Sequence, residues 1–147
     1  MARIWFAIQA VLAAALVAAP IVSRAEWPIA VRAVGGVLCM GGALALASAY
    51  RALGASHSPW IAPAAGAELV TRGPYAIVRH PIYAAFVAIA LGVALAFASP
   101  IALAIAAAIF VYYDARTRAE ERALTARHPG YADYARRVRG RLVPGIY

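Results

Sequence analysis

Four apolar runs, at about 4–22, 28–50, 81–98 and 101–119, divide this chain of 147 residues. Each is close to the ~20 residues that a helix needs to cross a hydrocarbon layer of ~30 Å. Charged residues make up only 14% of the chain, against roughly 25% in a soluble domain. The expectation is an all-α integral membrane protein, a single domain over residues 1–147, with about four transmembrane helices.

The first run follows Arg3 and ends at Ser23-Arg24-Ala25, a layout that a secretory leader shares; we read it as a retained span. The second opens at Pro28, which suits a helix start, and Arg32 lies one turn inside, within snorkelling reach of the interface. Gly35, Gly36, Gly41 and Gly42 permit close helix approach. A phosphate loop is excluded there, because no strand precedes the glycines and no Lys-Ser/Thr pair follows them. The single cysteine, Cys39, has no partner for a disulfide and no metal-ligand companion nearby, so it reads as a small buried packing residue.

The fourth run loses its apolar character after Tyr113, about 20 Å from its start. Nothing breaks the helix at that point, since DARTRAEERALTAR is built largely of good helix formers. One long helix is expected to leave the bilayer carrying charge and to stop at His128-Pro129-Gly130. A short helix at about 131–139 and the tail RLVPGIY follow.

The formal net charge of +8 comes from 14 arginines, no lysine and six acids. The arginines flank apolar runs instead of interleaving with stacking aromatics, so they speak of topology and not of nucleic acid. With four spans, Arg3, Arg51, Arg72, Arg79 and the eight arginines after Tyr113 share one side, and Arg24 and Arg32 take the other. The positive-inside rule then makes the N-terminus, the long 51–80 loop and the helical C-terminal tail cytoplasmic, in what is expected to be a bacterial inner membrane.

Two polar regions meet on that side. Ser99-Pro100 turns the third run directly into the fourth, so the start of one must lie beside the end of the other. This brings His80 and Tyr83 near residues 114–121. Arg116 and Glu120 are spaced i, i+4, as are Thr117 and Glu121, and each pair shares a helix face. A solvated ion-paired surface would satisfy that spacing equally well. Ionisable groups that begin where hydrocarbon should continue are, however, functional candidates. The pattern RHPxY occurs twice, at 79–83 and 127–131; the second copy ends a helix and reads as a turn.

LVTRGPYAIVRHPIY, an apolar hairpin, RTRAEERAL, GYADY and RVRGRLVPGIY, in that order over about 67–147, resemble the isoprenylcysteine carboxyl methyltransferase family, whose core pattern phospholipid N-methyltransferases share. The resemblance implies S-adenosylmethionine as methyl donor. It implies Tyr75, His80, Pro81 and Tyr83 lining the donor pocket, backbone contacts from Glu68, Leu69 and Val70, and Glu120, with Glu121 beside it, near the donor's ammonium. Arg116 would face a lipophilic acceptor entering from the bilayer, a prenylcysteine-like carboxylate or a lipid amine. No metal and no nucleic-acid partner is implied. The ending RLVPGIY also fits membrane sterol reductases, which bind NADPH there. A non-enzymatic membrane protein keeping the same scaffold is the third alternative.

Overall fold

The computed structural model describes residues 2–54 and 69–145. Over these residues the chain forms α1 (Ala2–Val22), α2 (Ile29–Leu53), a 3-10 turn at Gly73–Ala76, α3 (Pro81–Ala96), α4 (Pro100–Arg127) and α5 (Tyr131–Arg137). Helix α4 is continuous through the change from apolar to charged residues and stops at His128, as its composition requires. Among the described residues, three helices and not four are long and apolar enough to cross a membrane: α1, α2 and α4. Helix α3 has 16 residues, about 24 Å, and is shorter than the expected run at both the length and the end. Its last turn gives way to a bend in which Ala98 adopts φ 50° and Ser99 Oγ accepts from Ala102 N at 3.1 Å, capping α4.

Helix α3 lies between α2 and α4, and α1 packs on α4 and touches α3. The α2–α3 contact is set by glycine. A Cβ on Gly35 would collide with the backbone nitrogen of Ala96, and one on Gly42 would lie 2.7 Å from Ile89 Cγ1. From the facing helix, a Cβ on Gly92 would lie 2.7 Å from both N and Sγ of Cys39. Cys39 is therefore half-buried in a helix seam and not sunk in a core; its Sγ is 3.7 Å from Ile89 O. Gly36 and Gly41 face open space, so only half of the glycines read as contact residues act as such. Arg32 does not simply snorkel: its Nε donates to Ala96 O at 3.2 Å, a cation on the C-terminal carbonyls of α3. The outer face of α2 presents Val34, Val37, Met40 and Leu44, as a lipid-facing helix does.

Replacing Gly35 by Ala is expected to destabilise the protein by about 1–3 kcal/mol through overpacking, whereas Gly36→Ala, one residue on, should be neutral or mildly stabilising. Thermal unfolding midpoints of the two variants in detergent check this contrast.

Candidate functional site

The site is assembled where the start of α3 meets the charged half of α4. Pro81 occupies the first position of α3 and fixes where that helix begins, which leaves His80 as its N-cap residue and Tyr83 in its first turn. The hairpin brings both to Glu120 and Glu121. His80 is 5% exposed, and its Nε2 lies 3.3 Å from Glu121 Oε1. A carboxylate only accepts, so this contact selects the Nε2–H form. Tyr83 donates its hydroxyl to Glu120 Oε2 at 2.9 Å and accepts from Arg116 Nε at 3.2 Å. Consecutive acids on a helix point about 100° apart, and here they serve different neighbours.

Glu121 is gripped. Arg79 Nε donates to its Oε1 at 2.6 Å, and Arg141 Nε lies 3.3 Å from its Oε2. Arg79 also donates through Nη1 to the carbonyls of Val138 and Arg139, at 2.8 and 2.7 Å. The backbone joins in: Arg79 N donates to Gly140 O and His80 N to Arg141 O. Gly140 is required there, since a Cβ would sit 2.6 Å from Val143 O. Arg141 reaches Asp114 Oδ1 at 3.1 Å as well, and α5 closes the other side when Tyr134 donates to Tyr75 O at 2.7 Å. The tail is thus bound to the start of α3 by both main chain and charge. Tyr131, on α5, is 3% exposed, and its hydroxyl faces Glu121 without closing a hydrogen bond of ordinary geometry.

Glu120 is held less tightly. Among the described residues its carboxylate receives one hydrogen bond, from Tyr83. Aromatic surface surrounds this position. The rings of His80 and Tyr83 are 5.8 Å apart, Tyr83 and Tyr113 are 4.8 Å apart, and Phe86 and Tyr113 are 5.8 Å apart, all close to parallel. Tyr75 is buried, and burial first, then the Glu120 carboxylate, push its phenol well above the ordinary tyrosine range, so its hydroxyl remains a donor.

Arg116 is 4% exposed and sits deeper along α4. Besides Tyr83, its Nη1 donates to Tyr112 Oη at 3.0 Å and to Gln9 Oε1 at 3.3 Å, and its guanidinium lies 5.4 Å from the centre of the Tyr83 ring. Tyr112 passes the network to α1 by donating to Trp5 O at 2.7 Å. A cavity of about 120 Å³ adjoins this group, lined by α1, α3 and α4, with Leu12, Leu16, Phe86, Ile109, Tyr112 and Tyr113 in its walls.

A family model described as the isoprenylcysteine carboxyl methyltransferase (ICMT) family matches residues 34–126. The chain belongs to that family. The match starts within α2, earlier than the motif-bearing stretch from about 67, and it includes Tyr75, Pro81, Tyr83, Arg116 and both acids. Two curated proteins are similar over a shorter stretch. A nickel-cobalt-cadmium resistance protein, NccN, of Alcaligenes xylosoxydans xylosoxydans is 40% identical over 72 residues, 48% of this chain and 34% of that protein. A cobalt-zinc-cadmium resistance protein, CzcN, of Cupriavidus metallidurans is 39% identical over 71 residues, 48% of this chain and 33% of its own length. The match therefore spans about a third of each relative.

Of the site residues expected from sequence, the structure brings His80, Pro81, Tyr83, Arg116, Glu120 and Glu121 together, with Tyr75 alongside. Leu69 and Val70 are half-buried and lead into the 3-10 turn. Glu68 lies outside the described residues. Sequence reasoning missed Arg79 and Arg141, which hold Glu121, and Gln9 and Tyr112, which hold Arg116. Gln9 carried a signal, since it is a lone amide within an otherwise apolar run. No group of three His, Cys, Asp or Glu side chains able to hold a metal occurs among the described residues.

Removing Arg79 takes from the low-exposure Glu121 carboxylate the shortest of its three contacts with Arg79, His80 and Arg141. Arg79→Ala is expected to cost roughly 3 kcal/mol and to release the tail. Hydrogen exchange at the His80 amide, which is bonded to Arg141 O, should accelerate sharply, whereas amides in mid-α2 should not change.

Proposed function

We propose that this protein is a methyltransferase that uses S-adenosylmethionine and acts on a lipophilic acceptor at the membrane, with a prenylcysteine-like carboxylate as the favoured acceptor class and a lipid amine as the alternative. The observation that carries this reading is the division of labour along α4. Among the described residues, Glu120 stands among aromatic rings with one hydrogen bond, while Arg116, one turn deeper, is held by Gln9 and Tyr112, which line an apolar cavity.

The donor set fits the proposed cofactor. A carboxylate beside stacked aromatic faces suits a ligand carrying two cationic groups, and the protonated Tyr75 hydroxyl and the His80 ring add polar contacts. Glu120, Tyr75, His80 and Tyr83 would hold it, with Pro81 fixing the turn and Leu69 and Val70 offering backbone groups. S-adenosylmethionine supplies an electrophilic methyl group when bound. This chain's residues then have three tasks. Arg116 orients the acceptor's oxygen anion, which is already ionised at neutral pH and needs no general base. Tyr83 couples Arg116 to Glu120, so donor and acceptor sides are set by one shared hydroxyl. The buried tyrosines and the tail exclude water, and catalysis then rests on positioning.

A reductase would need arginines for a nicotinamide 2′-phosphate. Two arginines close to the site, Arg79 and Arg141, are already committed to Glu121 and Asp114. Methyl transfer is therefore the reading we adopt, with the loop and tail on the cytoplasmic side.

Glu120→Ala is expected to weaken binding of labelled S-adenosylmethionine by about tenfold or more, as loss of a charge-assisted contact does. Arg116→Ala should leave donor affinity within about twofold and lower turnover by about a hundredfold. Equilibrium binding and labelled-methyl transfer to a panel of prenylcysteines, lipid amines and membrane extracts, including membranes from metal-stressed cells, check both. Equal loss of donor affinity in the two variants would remove the assignment.

A further inference from the structure

Helix α1 lies outside the stretch that the family model matches, which begins at residue 34. It nevertheless reaches the centre of the site. Gln9 lines the apolar cavity and accepts from Arg116 Nη1 through its side-chain carbonyl. Arginine only donates, so the amide must turn its oxygen, not its NH2, towards the guanidinium. Arg116 itself is not among the residues lining the cavity; Gln9 and Tyr112, which hold it, are. The rest of the cavity wall is almost wholly hydrocarbon and aromatic ring. A molecule lying in this cavity meets Gln9 before it meets Arg116.

We propose that Gln9 is a positioning residue that gates acceptor recognition, its carbonyl oxygen occupying the place on Arg116 that the acceptor's anionic oxygen takes. An acceptor whose hydrocarbon tail fills the cavity displaces this oxygen and exchanges a neutral acceptor for a charged one on the same guanidinium. That exchange favours anionic heads, because hydrogen bonds to an ionised partner are roughly twice as strong as neutral ones. A neutral head of the same tail gains nothing by the swap. Tyr112 does not need to move, since its hydroxyl is fixed by donating to Trp5 O while it accepts from Arg116. The site thus selects charge at the head through a residue of α1, and the tail through the walls. No covalent step is involved. This rests on the reading that Arg116 faces the acceptor.

The test compares three probes of one chain length, a 16-carbon fatty acid, alcohol and amine, by equilibrium binding to the whole protein in neutral detergent without methyl donor. The wild type should prefer the acid. Gln9→Glu sets a fixed carboxylate against Arg116 and should weaken acid binding by about tenfold or more, with the alcohol within about twofold. Gln9→Leu removes the competing oxygen and should tighten acid binding a few-fold, again sparing the alcohol. Binding of labelled S-adenosylmethionine, measured separately, should be the same in all three proteins and reports that they are folded. The proposal is overturned if acid and alcohol change in parallel, if neither variant changes acid binding, or if the wild type binds none of the probes. Loss of the methyltransferase reading looks different: donor binding would be absent from the wild type while the Gln9-dependent preference for the acid persists.

Discussion

The grip of Arg79 on Glu121 is the interaction on which the polar end of this molecule depends. Arg79 stands directly before the N-cap of α3, so a single guanidinium ties together the start of one helix, the charged half of another and the carbonyls that follow α5. Without it, the backbone pairing of Arg79 and His80 with Gly140 and Arg141 would be held by charge only through Arg141, from the side of α4. A cation facing a carboxylate at low exposure has few alternatives, because neither group is well solvated if the other leaves. The tail is consequently part of the site and not an appendage.

Fixing Glu121 has a consequence for its neighbour. Residues 120 and 121 share a helix but not a direction. Once Glu121 is turned towards Arg79, His80 and Arg141, Glu120 must face Tyr83. Tyr83 then spans two charges of opposite sign, donating to the carboxylate and accepting from Arg116. Its ring also stacks within the series His80, Tyr83 and Tyr113. The Arg116–Glu120 spacing, taken as a local helical pair, therefore understates the arrangement. A residue from α3 lies between them and converts a surface ion pair into a buried relay.

Much of this was legible in the sequence because it is local or one turn away. Apolar run length gave the helices, the Ser99-Pro100 connection forced the hairpin, and Pro81 marked where α3 begins. The hairpin alone is enough to bring His80 and Tyr83 to the acids of α4. The family membership agrees with the motif order that runs from RGPY to the paired acids. Less legible was the length of α3, because it ends at a bend that its apolar composition does not announce. The roles of the α2 glycines were hidden too. All four look alike in sequence, and only the rotation of α2 about its axis decides that Gly35 and Gly42 meet α3 while Gly36 and Gly41 face outward.

What the amino-acid order determined by itself was helical character and the pairing of α3 with α4, since each follows from periodicity or from a connection too short to allow anything else. What only tertiary structure decided was partnership across long separations: Arg79 with the carbonyls of Val138 and Arg139, Arg141 with Asp114 and Glu121, and Gln9 with Arg116. Those contacts depend on how helices are rotated and how a tail returns. A chain of arginines and scattered acids is compatible with many such pairings until packing selects one.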